Sequence, residues 1–227
     1  MAITRTATIT RIRMTDPDPA ALLALHAWLS PAFPVGAFAW SHGLEAAVEA
    51  GEAKGREALE GWISDLLAHG AARSDAILLA MAWREPEGEA EALAAALQPS
   101  AERRAESLGQ GAAFARVAAE AWGAGPGAPC ALPVAVGRAA RARGLPLAPV
   151  LRLYLQSFAA NQVSAGIRLG CVGETDGQRI LAALGPLILR VAAEAEGAGE
   201  ADLGGAALRA DLAAMLHETQ VTRLFRS

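Results

Sequence analysis

Histidine and glutamate side chains occur at two places where they could share a proton or bind a metal. His42 and Glu45 lie one helical turn apart, and His217 is followed directly by Glu218. One such pair supplies too few ligands for a metal ion. We therefore interpret His42 and Glu45 as partners in hydrogen bonds between helices, and His217 as a cation near the carboxyl end of the last helix.

Polar residues also interrupt the most apolar predicted helix, over residues 147–169. Asn161, Gln162 and Ser164 lie there among leucine, valine and isoleucine. Because buried polar groups need hydrogen-bond partners, they predict either an internal network or a helix face kept for another subunit. Both interpretations stay open.

Motifs of the common enzyme classes are absent from the sequence. Lys54 is the only lysine and does not follow glycine, which excludes a P-loop, and G-x-G-x-x-G and G-x-S-x-G do not occur. No histidine lies in an H-E-x-x-H motif or three residues after a glutamate. We expect a protein that is not an enzyme, with no catalytic residue, no cofactor and no bound metal.

Composition predicts a protein of the cytoplasm. The chain has 227 residues, of which 53% are hydrophobic, and a net charge of -4, which argues against a nucleic-acid binder. Apolar stretches are interrupted before the roughly 20 residues that a membrane helix needs, and the first residues lack the apolar run of a secretory signal. Cys130 and Cys171 are interpreted as free thiols in a reducing compartment. We expect contact with neither nucleic acid nor membrane.

Residues 29–45, here called the joint, must position the first histidine and glutamate pair. Pro31 and Pro34 end one helix, and Gly36 permits a tight re-entry into a second helix from about residue 38. Aromatic residues make up only 5% of the chain but cluster in the joint. They are Phe33, Phe38 and Trp40. The joint is therefore either a buried corner or a docking surface.

Helical periodicity extends over most of the chain. Apolar residues recur at three- and four-residue spacing, and no run of alternating strands occurs. Helices are predicted over 20–28, 56–69, 75–84, 89–97, 103–122, 133–143, 147–169, 175–195 with a bend at Pro186, and 203–218. The glycine-rich residues 123–129 predict a surface loop within one domain. Gly109 and Gly111 permit close helix packing or mark a bend. The sequence thus predicts an all-α fold, a single-domain bundle of roughly eight to ten helices.

The two ends of the chain are predicted to differ from this helical domain, residues 18–218. Residues 1–17 are interpreted as a flexible arm. Residues 219–227, here called the tail, carry Leu224 and Phe225 between Arg223 and Arg226. The tail either packs onto its own domain or docks on a partner, with Phe225 as the anchor and the arginines as donors.

Three motifs, in this order, resemble the UreF family of urease accessory proteins. The first is Ser-Pro-x-Phe-Pro-x-Gly-x-Phe-x-x-Ser-His-Gly-Leu-Glu, over residues 30–45. The second is the stretch 161–170 with the connection 175–179, and the third is the ending 222–227. Two positions depart from the family pattern: Trp40 replaces a common tyrosine, and Glu174 a common glutamine. The resemblance covers nearly the whole chain.

The resemblance implies a non-catalytic scaffold for urease maturation. Such a protein is a homodimer in its complex, where it bridges the UreD/UreH accessory protein and the GTPase UreG during nickel insertion into apo-urease. It implies a UreG-facing surface made of Phe38, Trp40, Ser41, His42, Glu45, Arg223, Leu224, Phe225 and Arg226. On helix 147–169 we expect the homodimer contact at Arg152, Tyr154 and Gln156.

Two alternatives belong to other functional classes. The protein could activate the GTPase by inserting Arg223 or Arg226 into the UreG site, as arginine fingers do. It could also carry metal on His42, Glu45, His217 and the cysteines, although these ligands are scattered in sequence.

Overall fold

A computed structural model describes residues 18–227, which contain ten α-helices and no β-strand. The helices are α1 Pro19–Trp28, α2 Leu44–Glu49, α3 Arg56–His69, α4 Ala71–Arg84, α5 Ala90–Ala96, α6 Ala101–Trp122, α7 Leu132–Ala142, α8 Leu147–Arg168, α9 Glu174–Gly197 and α10 Leu208–His217. Short 3-10 turns lie at Ala37–Ala39 and Glu200–Asp202. The all-α, single-domain prediction is confirmed. The predicted arm, residues 1–17, lies outside the described residues.

Helices α4 and α8 form the centre of the bundle. Helix α4 packs against α3, α5, α7, α8 and α9, and α8 packs against α3, α4, α7 and α9. Leu78 and Leu79 of α4 and Leu151 and Leu155 of α8 are fully buried. The homodimer contact was expected on this helix, but the protein's own core already uses much of the apolar surface of α8. No helix within residues 18–227 is long and apolar enough to span a membrane.

Local signals account for several helix boundaries. Asp18 caps α1, where its side chain accepts from Ala20 N at 3.0 Å, and Ser100 caps α6 in the same way through Arg103 N at 3.1 Å. Helix α3 has the predicted bounds, and α9 continues through Pro186. Residues 123–129 form no helix, as predicted.

Three predicted boundaries are wrong. Helix α4 begins at Ala71 instead of residue 75, because the single residue Gly70 separates it from α3. The second helix begins at Leu44 instead of residue 38, because Gly36 and Gly43 have φ of 72° and 75° and enclose only a 3-10 turn. The last helix begins at Leu208 instead of residue 203, because Ala206 N bonds to His69 O at 2.7 Å and holds the preceding residues against the end of α3.

Candidate functional site

The joint lies directly against α10 and the tail. A Cβ atom at Gly43 would stand 2.6 Å from Ala214 N of α10, so only glycine permits this approach. The tail follows the joint through backbone hydrogen bonds: Arg226 N donates to Ala39 O, and Ser41 N to Ser227 O, each at 2.9 Å. Two segments that are far apart in sequence thus form one structure.

Glu45 fixes the tail through its carboxylate. Leu224 N donates to its Oε1 at 2.6 Å, and Phe225 N to its Oε2 at 2.9 Å. His217 Nε2 lies 3.1 Å from the same Oε2 atom. Hydrogen bonds to a charged acceptor are among the stronger ones. Glu45, itself buried, therefore joins α2, α10 and the tail.

His217 and Arg223 share a second carboxylate, that of Glu102 on α6. His217 Nδ1 lies 2.6 Å from Glu102 Oε2, and Arg223 Nη1 donates to Glu102 Oε1. Arg223 also donates to the backbone oxygens of Glu218 and Gln220, each at 2.6 Å. An imidazolium donates from both ring nitrogens, which suits the two carboxylates that flank His217. The predicted role of His217 as a cation at a helix end is consistent with these contacts.

A second buried cluster lies beneath the joint, around Glu106 of α6. Arg103 donates to Glu106, Ser227 Oγ donates to it at 2.8 Å, and His42 Nδ1 lies 2.7 Å from Glu106 Oε1. His42 Nδ1 is also 3.0 Å from Arg103, but one nitrogen cannot donate to glutamate and accept from arginine together. We take the shorter contact, to Glu106, as the hydrogen bond.

The charges of this cluster compensate one another. Burial alone would raise the pKa of Glu106, but Arg103, His42 and the hydrogen bonds outweigh it and lower that pKa to about 2. Burial, with Arg103 nearby, lowers the pKa of His42. His42 is therefore neutral, and Glu106 and Arg103 form the charged pair.

The predicted hydrogen bond between helices occurs for Glu45 of α2, whereas His42 precedes α2 and bonds from the joint. His42 bonds to α6 and Glu45 to α10. The sequence did not reveal Glu106, the partner of His42, nor the roles of its neighbours on α6, Glu102 and Arg103. Arg103, Glu106 and Gln110 lie at helical spacing on the buried face of α6, where apolar residues are the rule, and this was the available signal.

The surface of this region carries aromatic rings beside arginines. The Arg168 guanidinium carbon lies 4.4 Å from the ring centre of Phe38 and 4.3 Å from that of Phe225, and Arg226 lies 5.2 Å from that of Trp40. Phe38 is 69% exposed, whereas Phe225 is buried. The tail is packed onto its own domain in this structure.

The structure thus gathers the predicted UreG-side residues into one region but sorts them by exposure. Ser41, His42, Glu45 and Phe225 are buried, and Trp40 is half-buried. The exposed ones are Phe38, Arg223, Leu224 and Arg226. The buried residues support this surface in the present conformation, and partner contact stays a prediction for the whole set.

The predicted dimer residues also differ in exposure. Arg152 is exposed and Gln156 half-buried, and their role in a homodimer stays a prediction. Tyr154 is buried, and its hydroxyl donates to Asp75 Oδ2 at 3.0 Å, so it does not reach the surface here. Burial raises the pKa of Asp75 to about 6, against the opposing effects of Arg103 and the Tyr154 hydrogen bond.

Within residues 18–227, no internal hydrogen-bond network joins the polar residues of α8 that the sequence singled out. Gln162 is fully buried, yet neither amide atom has a hydrogen-bond partner among the described residues. Asn161 and Ser164 line a cavity.

Helix α10 exposes an apolar stripe. Leu208, Leu212, Met215 and Leu216 are 68%, 58%, 47% and 67% exposed. Their spacing puts them on one face of the helix, and the opposite face is buried against the joint and α6. We call these four residues the α10 stripe. Large exposed apolar patches mark contact sites for other molecules.

Comparison with known proteins shows the family. The model of the family described as UreF matches residues 53–185, more than half of the chain. The chain belongs to the UreF family. It is 56% identical over 209 residues to the urease accessory protein UreF of Cereibacter sphaeroides strain KD131, covering 92% of this chain and 99% of that relative.

More distant species give the same result. The UreF proteins of Roseobacter denitrificans and Rhodopseudomonas palustris strain TIE-1 are 49% and 48% identical, covering 91% and 92% of this chain and 94% and 93% of those relatives. A UreF-family chain has a role in urease maturation.

Within residues 18–227, no group of three or more His, Cys, Asp or Glu side chains is placed to hold a metal ion.

Proposed function

We propose that this protein is a non-catalytic scaffold of the cytoplasm that bridges UreD/UreH and UreG while nickel is inserted into apo-urease. The α10 stripe is the observation that carries the proposal. Four large apolar side chains in a row gain nothing from exposure to water, and burying them on a partner is favourable by about 25 cal/mol per Å². Such a face belongs to a protein that works by contact.

The two partners are assigned to two neighbouring surfaces. Family resemblance assigns the joint and tail, with Phe38 and the exposed arginines, to UreG. The α10 stripe is then left for UreD/UreH. Aromatic residues and arginine are enriched at interface hot spots, which fits the first surface. The carboxylates between them, which are those of the buried Glu45 and Glu106 and of the half-buried Glu102, hold both surfaces on one rigid support.

Recovery of the complex tests this function. UreD/UreH carrying an affinity tag is produced with UreG, with and without this chain, and the mass of the purified material is measured. We expect UreG to be retained only when this chain is present. Equal retention of UreG in its absence would contradict the bridging role.

A GTPase-activating role is the second candidate, and Arg226 is the observation that favours it. Its side chain is exposed, whereas Arg223 already donates to three acceptors of its own chain. An arginine finger accelerates GTP hydrolysis by about 10³- to 10⁵-fold in other systems. The test is to measure GTP turnover by UreG with the wild-type complex and with the Arg226→Ala complex. Equal turnover would exclude the GTPase-activating role and would leave the scaffold role unaffected.

A further inference from the structure

A cavity of about 180 Å³ lies between the joint and helices α4, α6, α7 and α8. Protein interiors are close-packed, and voids larger than a water molecule are few. A dry engineered cavity of roughly 150 Å³ is large enough for benzene. This cavity therefore has room for a small organic molecule.

One side of the cavity is aromatic. The rings of Trp28 and Phe114 meet edge to face at 5.6 Å, Phe33 and Phe114 at 5.1 Å, and Phe158 packs on His42 at 4.9 Å. Such walls favour a flat, apolar ligand, since aromatic rings pack well edge to face or with an offset. Phe38, largely exposed, also lines the cavity.

Three polar side chains that line the cavity each have a buried atom without a partner among the described residues. They are Nε1 of Trp28, Nε2 of His42 and Oγ of Ser107. All three side chains are more than nine-tenths buried. His42 donates from Nδ1 to Glu106, which leaves its Nε2 as an acceptor, while Trp28 is a donor and Ser107 can be either. A buried polar group without a partner is costly.

Helix α8 adds a polar row to the other side. Ser157, Asn161 and Ser164 recur at helical spacing and all line the cavity. Two of the polar residues noted in the sequence of α8, Asn161 and Ser164, are thus part of its wall, whereas Gln162 is not. The cavity combines an aromatic side with hydrogen-bonding groups of both kinds, and its charged pair, Arg103 and Glu106, is internally compensated.

We infer that this cavity binds a small neutral aromatic molecule that carries one hydroxyl or amide group. The ring packs beside Phe33, Phe114 and Phe158, and the polar group bonds with the side-chain amide of Asn161 in the polar row of α8. The unpartnered atoms of Trp28, His42 and Ser107 are enclosed within the wall itself. This inference does not depend on the proposed function, because it concerns the isolated chain.

Two fluorinated probes of nearly the same shape test the inference. Binding of 4-fluorophenol and fluorobenzene to the full-length protein is measured by ¹⁹F NMR. We expect 4-fluorophenol to bind about tenfold more tightly, because fluorobenzene cannot form a hydrogen bond with the amide of Asn161. Equal affinities would identify an unspecific apolar void, and no binding of either probe would show that the cavity is not a ligand site. Both results overturn the inference.

Two variants locate the binding. Asn161→Leu keeps nearly the same volume but removes the amide, so we expect it to abolish the preference for 4-fluorophenol. Ala160→Phe, at a lining residue, fills the cavity and abolishes binding of both probes. The matched control is Ala182→Phe, at an exposed alanine of α9. Thermal unfolding checks that each variant folds, and Asn161→Leu is sufficient as a test if Ala160→Phe does not fold. An unchanged preference for 4-fluorophenol in Asn161→Leu, or unchanged binding in a folded Ala160→Phe, would overturn the inference.

Discussion

Glu106 is the residue on which the polar interior depends most. It contacts Arg103, His42, Gln110 and Ser227, and no other acidic side chain lies in hydrogen-bond contact with Arg103 in the described part of the chain. Removing one member of a buried ion pair leaves the other charge uncompensated. The cluster therefore ties α6 to the joint and the tail at a single side chain.

We expect Glu106→Gln to lower the free energy of unfolding near pH 7 by roughly 3 kcal/mol, because Arg103 stays buried without a counter-charge. The pKa of Glu106 falls from 4.5 to about 2 on folding, so its stabilising effect is complete above the unfolded pKa and is lost as the pH falls towards about 2. The difference between variant and wild type should therefore shrink over that range. Urea unfolding at several pH values measures it.

The control is Glu120→Gln, which alters an exposed pair with Arg116 on the same helix. Exposed pairs contribute about 0 to 1 kcal/mol, so this variant should unfold almost as the wild type does. If Glu106→Gln lowered the free energy of unfolding by no more than Glu120→Gln does, the buried cluster would not be important for stability.

At the scale of elements, α6 is positioned by a glycine. A Cβ atom at Gly111 would stand 2.0 Å from Cys130 O and 2.5 Å from Leu132 N, whereas one at Gly109 meets nothing within 4 Å. From the sequence alone, both glycines were compatible with close helix packing or with a bend. The contact decides for close packing at Gly111.

The two glycines form a matched pair for mutation. We expect Gly111→Ala to destabilise the fold by about 1 to 3 kcal/mol, since α6 must move away from the start of α7. Gly109→Ala should stabilise it by roughly 0.5 to 1 kcal/mol through helix propensity. Thermal unfolding followed by circular dichroism measures the unfolding midpoint of both variants. If both midpoints shifted in the same direction, the close contact between Gly111 and the start of α7 would be contradicted.

The tail is a second element whose position depends on side chains of another. We expect Glu45→Gln to speed hydrogen exchange at the amides of Leu224 and Phe225 by about tenfold, because a neutral amide is a weaker acceptor. Glu49→Gln, at an exposed position of the same helix, is the control and should leave these amides unchanged. Equal exchange in Glu45→Gln and wild type would show that Glu45 does not hold the tail.

Local signals predicted the elements better than the contacts between them. The cap at Asp18 and the apolar periodicity of α3 depend only on residues that are close together in sequence, so α1 and α3 were predicted accurately. The positive φ of Gly43 and the short α2 depend on α10, more than 160 residues further on. Contacts at that range leave little trace in one sequence, which is why the second helix was predicted too early.

The same limit applies to the site. His42, Glu45 and the tail stood out by residue type, but their partners on α6 look like ordinary surface charges of a long helix. Burial of Arg103 and Glu106 follows from the packing of α6 beneath the joint, which no local pattern encodes. The α10 stripe was likewise hidden, since its leucines match a normal core-facing helix until the fold shows which face is covered.

At the scale of the whole molecule, the buried polar clusters and the exposed α10 stripe support one interpretation: a rigid support that presents contact surfaces. The stripe should therefore be needed for function but not for folding. We expect Leu212→Ser with Leu216→Ser to leave the thermal unfolding midpoint nearly unchanged, because both side chains are already exposed. Leu189→Ser, at a 56% exposed leucine of α9, is the control.

The nickel content of urease tests this account most directly. Urease is purified from cells whose own copy of this gene is replaced by the wild type, the stripe variant or the Leu189→Ser control, and nickel per active site is measured by mass spectrometry. We expect full loading with the wild type and the control, and loading reduced at least tenfold with the stripe variant. Full loading with the stripe variant would contradict the central claim that this protein acts through contact at the α10 stripe.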